Sequence, residues 1–516
     1  MVSCWLCGCA PGVKQPRTTR AGKAELQPQQ TIGSLTEVFA YEQIAVQGYG
    51  IVAGLAGTGS EQCPPQVREY LVKYIRRQAP GVDPEAFINR PDTAVVTISG
   101  FIPAGASRGD RFDVIVAPVA GSQTSSLSGG QLYTAELSAY GMPGPARVLA
   151  RAQGPVFVDK LEAARDEKAG YVLAGGAVLD DYKIALTLLK PDFLAANTIR
   201  NRINERFGGN VARAVTPGLI YLQAPPHHKN HKDRFLNLVK ATYLTSSPEL
   251  DSQQASVLIK QLAVSADSTA AEAGLEAIGQ ASLARLAALL NSSYESVRLR
   301  AARCMLNIGD DRGLAVLQQV AAEDQPEHRI AAIQALAQAA PRQKAAPILR
   351  KSLRDQDFQV RMAAYEALLR LDDIAVRRRS VANRFFLDTV EQDGQKAIYV
   401  CRSGEPKVVL FGAPVFAEES FFLDYAAGGI ILDSQAEQKI VKIIQRHPRL
   451  GRLLSVNSSL DLADIITSLC EEPPADRNQP AGLAVAYSDL AAILQQMCQK
   501  GAVKADFHAG PLPQTR

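Results

Sequence analysis

Between about Pro248 and Asp373 the chain repeats itself. VRLRAARCML with Arg298, HRIAAIQAL with Arg329 and VRMAAYEALL with Arg361 open similar helices spaced 31 and 32 residues apart, and a weaker copy, AEAGLEAI, starts near Ala271. Two-helix units of this period cannot bury their apolar faces alone and must stack on their neighbours, so the segment is predicted to be an α-solenoid of three or four units. Its alanines allow close helix approach. The repeated arginines are expected to form exposed pairs with Asp or Glu, which is a structural role; the functional alternative is a concave surface that holds a protein partner.

The rest of the chain is not solenoid-like. At 516 residues it is too long for one ordinary core and predicts roughly three or four domains. With 56 basic and 52 acidic residues, net +4, it is too balanced for a dedicated binder of nucleic acid or anionic membrane. The run Arg377 to Arg379 is read as a solvated edge. No apolar stretch approaches the ~18 residues that cross a bilayer. Cys63, Cys304, Cys401, Cys470 and Cys498 lie far apart and set no disulfide framework; their odd number leaves at least one free within a chain.

GYGIVAGLAGTG places Gly48, Gly50, Gly54, Gly57 and Gly59 in twelve residues. A dinucleotide fingerprint needs its third glycine one residue earlier, and a P-loop needs Gly-Lys-Ser/Thr where Ser60 and Glu61 follow Gly59. Clustered glycine then points to tight turns and close backbone packing. The string resembles the opening motif of the bacterial flagellar P-ring protein family, GYG(I/L)VxGLxGTG after a short amphipathic lead-in, and Ser34 to Gly59 follows that pattern.

Downstream, Val67, Leu71 and Ile75 share one face of a helix that should lie on a sheet. AVVTISGFI from Ala94 and RFDVIVAPV from Arg111 read as strands joined by PAGASRGD, with Gly109 as turn chemistry rather than part of an adhesion tripeptide. Gln131 to Ala139 and Ala146 to Val158 carry further strand signals, and SSLSGG is a loop. KIALTLLK is a strand, Asp192 an N-cap, and Phe193, Ala196, Ile199, Ile203 and Phe207 the apolar face of the following helix; Gly208 and Gly209 close it as a left-handed cap, and GLIYLQAP is the next strand. An RNA-binding KH-like module would need a Gly-x-x-Gly loop, and none is suitably placed. The VTISGFIPAGASRGDRFDVIVAPV and KPDFLAANTIRNRINERFGGNVARAV stretches are again similar to the P-ring family, the first in its GxRxDV segment. His227, His228 and His231 in HHKNH are read as an exposed polar loop rather than a metal site.

Phe385 to Val456 returns to strands (KAIYVC, PKVVLF, GGIILD), with one amphipathic helix expected near Gln435 to Gln445. Two helices then begin at aspartates, Asp461 or Asp464 in the first and Asp489 in the second. They and Gly501 to Ala505 resemble the C-terminal end of the P-ring protein, and the helical repeats resemble HEAT repeats. The first residues, MVSCWLCGC, give way to a polar Pro- and Gln-rich stretch with the composition of a tether. Leu6 to Cys9 resembles a bacterial lipobox, which implies lipid attachment at Cys9, although Cys7 replaces the usual small residue. A metal cluster at Cys4 and Cys7 would lack a second Cys/His pair.

These observations predict an α+β multidomain chain: a tether at 1–33, a P-ring-like β-rich domain at 34–180, a strand-helix-strand module at 181–247, HEAT-like repeats at 248–375 as an insertion, and a mixed α/β part at 376–516. No Gly-x-Ser-x-Gly elbow or spaced carboxylate pair argues for catalysis, and no cofactor, metal or nucleic-acid partner is expected. The resemblance implies a structural, non-enzymatic subunit of a homo-oligomeric ring around the flagellar rod near the peptidoglycan, located in the periplasm. The alternatives are an envelope lipoprotein adaptor, anchored to the outer membrane, that binds a partner through its helical repeats, and a cytoplasmic repeat scaffold.

Overall fold

The computed structural model describes residues 29–39, 41–140, 147–162, 167–229, 231–265, 267–446, 453–472 and 482–514. The lipobox-like stretch with Cys4, Cys7 and Cys9 lies outside them. A short helix α1 (Ile32–Leu35) leads into β1 (Thr36–Phe39), which joins a later sheet. Six strands then close an antiparallel barrel in the order β2-β3-β4-β7-β6-β5: β2 (Ile44–Ala53), β3 (Thr93–Ile102), β4 (Arg111–Pro118), β5 (Gln131–Ala139), β6 (Val148–Pro155) and β7 (Gly170–Val178). Alternation sends Val46, Val52, Val96, Ile98, Val114, Val116, Leu132 and Val172 into its core. Outside it, α2 (Pro65–Gln78) and α3 (Pro84–Ile88) press Leu71 and Ile88 onto Ile51, Val95 and Val119, so the expected helix does lie on a sheet.

β8 (Ile184–Leu188), α4 (Phe193–Phe207), β9 (Ala212–Thr216), β10 (Leu219–Leu222) and α5 (Lys232–Ala241) build a second unit, with sheet order β1-β8-β10-β9. Asp192 caps α4, its carboxylate accepting from Ala195 N at 2.8 Å. Two details differ from the sequence reading. Phe193 is 70% exposed, and Ala195 takes the expected place beside Ala196, Ile199 and Ile203 in the core. Gly208 has φ 105° but ψ 155°, an extended exit rather than a left-handed cap, and a turn at Gly209 and Asn210 follows before β9.

His228 also departs from the exposed loop expected of it. It is 8% exposed, with the Phe207 and Phe235 rings 6.1 and 5.6 Å away. Burial, then repulsion from His227, Arg234, His231 and Arg206, lowers its pKa to about 4. Protonation therefore favours the unfolded chain, whose histidine titrates near 6.5. The stability this residue contributes is complete above about pH 6.5 and is lost as pH falls toward 4. Between pH 7 and pH 4 the wild type should lose about 3 kcal/mol more than His228→Phe, read from urea unfolding at both pH values; equal losses would refute the assignment.

Helices α6 (Pro248–Val264), α7 (Thr269–Ile278), α8 (Leu283–Leu289), α9 (Glu295–Ile308), α10 (Arg312–Val320), α11 (Pro326–Ala339), α12 (Arg342–Ser352) and α13 (Phe358–Arg370) stack as the periodicity predicts, around alanine-rich cores. The last part holds a five-stranded sheet in the order β11-β12-β14-β13-β19, from β11 (Val376–Val381), β12 (Phe385–Val390), β13 (Ala397–Val400), β14 (Lys407–Phe411) and β19 (Asp506–Ala509). A four-stranded meander follows from β15 (Phe421–Tyr425), β16 (Ile430–Gln435), β17 (Ile440–Arg446) and β18 (Leu453–Ser459). α14 (Leu462–Cys470) and α15 (Tyr487–Gln499) share one core with both sheets.

The helix expected near Gln435 to Gln445 is instead a turn and β17: Val441 and Ile443 are buried while Lys442 is exposed, a period of two. Asp461 caps α14, accepting from Ala463 N at 2.9 Å. Asp489 is not a cap; Ala486 holds that position on α15. β11 is the sheet edge read from Arg377 to Arg379, and all three arginines are exposed there, although Arg378 also reaches in to pair with the buried Asp388. The five described cysteines are all free thiols.

Candidate functional site

The glycine run begins in β2 with Gly48 and Gly50, where the barrel leaves no room for side chains, and continues past its end with Gly54, Gly57 and Gly59. A Cβ at Gly48 would stand 2.3 Å from Glu136 O on β5, and one at Gly50 would stand 2.8 Å from Ile98 Cδ1 across the core. Gly54 and Gly57 take φ of 88° and 81°, turning the chain out of the barrel. Gly59 lies so close to β3 that a Cβ would meet Thr93 O at 2.1 Å. The N–H groups that a phosphate nest would offer are spent internally, Gly59 N on Pro91 O and Ser60 N on Thr93 O, both at 2.9 Å. Thr58 ties this turn to the SSLSGG loop, donating to Ser126 O at 2.8 Å.

This end of the barrel faces the C-terminal part across a cleft of about 990 Å³, lined by Gly54, Thr58, Gly130, Lys160, Tyr487 and Asp489 among others. Polar contacts join the two parts beside it. Asp113 on β4 accepts from Ala174 N at 2.6 Å, Ser403 Oγ at 2.8 Å and Gly404 N at 2.8 Å. Asp159 pairs with Arg402 at 3.0 Å, and Lys160 with Asp489 at 2.7 Å. Asp489 also accepts from Tyr425 Oη at 2.8 Å, and Val158 N donates to Ser488 Oγ at 3.0 Å. The arrangement holds two parts of the chain together. Lys160 is neutralised by its carboxylate, and among the described residues no group of three His, Cys, Asp or Glu is placed to hold a metal ion.

The sequence reading missed this seam, except that Asp113 lies in the GxRxDV segment already singled out. A carboxylate in the middle of a barrel strand needs partners, and that was the available signal. The structure places Asp192 and Gly208 in the β1-β8-β10-β9 unit, apart from the glycine run.

The repeated arginines lie elsewhere again, in a ladder along α9, α11 and α13. Each reaches back to the carbonyl six residues before it: Arg298 to Ser292 O at 3.0 Å, Arg329 to Glu323 O at 3.3 Å and Arg361 to Asp355 O at 3.0 Å. Arg298 also pairs with Glu323 at 2.8 Å and Arg329 with Asp355 at 3.3 Å, so these two arginines grip the loop that opens the next repeat. The expected exposed pairs are therefore corrected. Stacking covers the position, leaving Arg361 1% exposed and its guanidinium 5.4 Å from the Phe358 ring.

A glycine-lined barrel, a sheet packed against helices and a stack of helical repeats together define an α+β multidomain protein. Residues 31–261 match the family model of the flagellar P-ring protein, and residues 319–379 match that of HEAT repeats. The flagellar P-ring protein of Anaeromyxobacter dehalogenans (strain 2CP-C) is 30% identical over 220 residues, which cover 40% of this chain and 57% of that relative. The one from Aquifex aeolicus (strain VF5) is 34% identical over 195 residues, covering 34% of this chain and 52% of the relative. The chain thus spans little more than half the length of these relatives. Among solved structures, the complex of CpcE and CpcF of phycocyanin lyase from Nostoc sp. PCC7120 is similar over 24% of this chain and 80% of that one, with 26% identity and a TM-score of 0.21, too loose a likeness to bear on function. The P-ring resemblance read from the glycine run is borne out over residues 31–261, as is the HEAT resemblance over residues 319–379.

Proposed function

We propose that this protein is a structural subunit of a periplasmic ring around the flagellar rod, acting as a bushing near the peptidoglycan. The observation that carries this is the P-ring match over residues 31–261, which takes in the whole barrel and the β1-β8-β10-β9 unit. Its role is mechanical: copies join head to tail through contacts that close a circle, which is what heterologous interfaces do when the rotation closes. No catalytic step, cofactor or nucleic acid enters this reading. The divisions at 33, 180, 247 and 375 are proposed as its domain limits, and lipid attachment at Cys9 as its tie to the outer membrane.

A second reading has the same scaffold serving as an envelope adaptor that binds a protein through the helical repeats, where Val257, Val264 and Tyr294 stand 56%, 86% and 70% exposed. Electron microscopy of protein extracted gently from native envelopes separates the two. Closed rings, together with loss of swimming on deletion, are expected for the bushing; discrete monomers or small complexes with swimming intact would overturn it in favour of the adaptor.

A further inference from the structure

Among the described residues, no strand pairs with the outer side of β1 or of β9 in the sheet β1-β8-β10-β9. Leu189 N donates to Leu35 O across the β8 side of β1, so by strand alternation the N–H and C=O of Val38 point away from the sheet, while Thr36 is 4% exposed at the end of α1. Gln223 N donates to Val211 O across the β10 side of β9, so Ala212 and Ala214 point away there. Asn204 covers Ala212, at 2.9 Å to its carbonyl and 2.7 Å from its N–H. The edge beyond it is open.

Each consecutive pair in this sheet is antiparallel, so β9 runs opposite to β1. A second copy that brings its β1 beside β9 would extend the sheet with one more antiparallel pair. The exposed side chains also match. The β1 edge carries Glu37 and Phe39, the β9 edge carries Arg213 and Val215, and Phe39 and Val215 are 66% and 48% exposed. Phe39 and Arg213 lie in one cross-strand row through Ala185 and Tyr221, so they share a face of the sheet. Glu37, two residues from Phe39, is on that face too.

We propose that β9 of one copy pairs with β1 of a second copy through Ala214 and Val38, placing Arg213 opposite Phe39 and diagonal to Glu37 and carrying a single sheet from subunit to subunit. A foreign strand would use one edge and leave the other open. A second copy uses both, because the two edges have opposite polarity and opposite charge and belong to one rigid sheet. This rests on the ring-forming reading above and names the surface through which the ring forms.

The test uses the full-length chain and sizes its assemblies by light scattering and electron microscopy. Arg213→Glu should abolish assembly, and Glu37→Arg in the same chain should restore it; both positions are exposed, so the melting curve should not move. The double variant Phe39→Cys/Arg213→Cys should give a ladder of disulfide-linked oligomers on oxidation, and each single variant none. If the wild type forms rings while Arg213→Glu assembles equally well and no ladder appears, the edge pairing is wrong and self-assembly stands. A wild type that stays monomeric at every concentration overturns both.

Discussion

Arg378→Met is expected to destabilise the C-terminal part by about 3–5 kcal/mol, because it strands a carboxylate that has no access to water. Asp388 on β12 is 0% exposed and stands opposite Arg378 on β11, which holds it bidentately at 2.9 and 2.8 Å. Tyr365 from α13 donates to the same carboxylate at 2.5 Å, and its own ionisation is pushed far up by burial and by that charge. Arg378 further reaches Glu405 at 2.7 Å and stacks 4.5 Å above the Phe386 ring. Removing both charges together, in Arg378→Met/Asp388→Leu, should recover most of the loss, since an apolar pair leaves only the Tyr365 hydroxyl buried without its partner, Glu405 being exposed to water. Urea unfolding of the wild type, the single variant and the double variant decides this. If the single variant melted with the wild type, the pair would have to be solvated in solution.

Gly59→Ala should be the most disruptive alanine substitution in the glycine run. Its Cβ would be 2.1 Å from Thr93 O and 2.7 Å from Thr93 C, backbone atoms of a central barrel strand that cannot swing aside. Overpacking of this kind costs about 1–3 kcal/mol, and more where backbone must move. Gly57→Ala is the control: nothing lies within 4 Å of its Cβ, and only the φ of 81° opposes it, for about 1–2 kcal/mol. Thermal melts should therefore rank wild type above Gly57→Ala and Gly57→Ala above Gly59→Ala. The reverse order would mean that turn conformation, not strand contact, selects these glycines.

Local chemistry was legible in the sequence where it is settled by near neighbours. Asp192 and Asp461 cap the helices they precede, and the period of Arg298, Arg329 and Arg361 gave the stacked helices. Close packing was read from the glycine run without the barrel that causes it. Errors came where a distant element decides. Ile440 to Arg446 has apolar residues compatible with either period, and only pairing with β16 and β18 makes it a strand. Asp489 at a helix start invites a capping role, but Lys160 and Tyr425 claim its carboxylate. His228 looks solvated between polar neighbours until Phe207 and Phe235 fold over it. Asp113 finds Gly404 291 residues away, and no spacing rule reaches that far.

That last contact changes what the helical repeats are. At their start Arg234 on α5 pairs with Glu276, and Arg206 on α4 donates to the Glu276 carbonyl at 2.7 Å. At their end Tyr365 is bonded to Asp388 in the C-terminal sheet, and that sheet is fastened back to the barrel through Asp113 and Asp159. The solenoid is thus a handle fixed at both ends rather than a spring with one end free. Its span is set by the distance between its anchors, so gaining or losing a repeat would have to tear the barrel seam or buckle the stack.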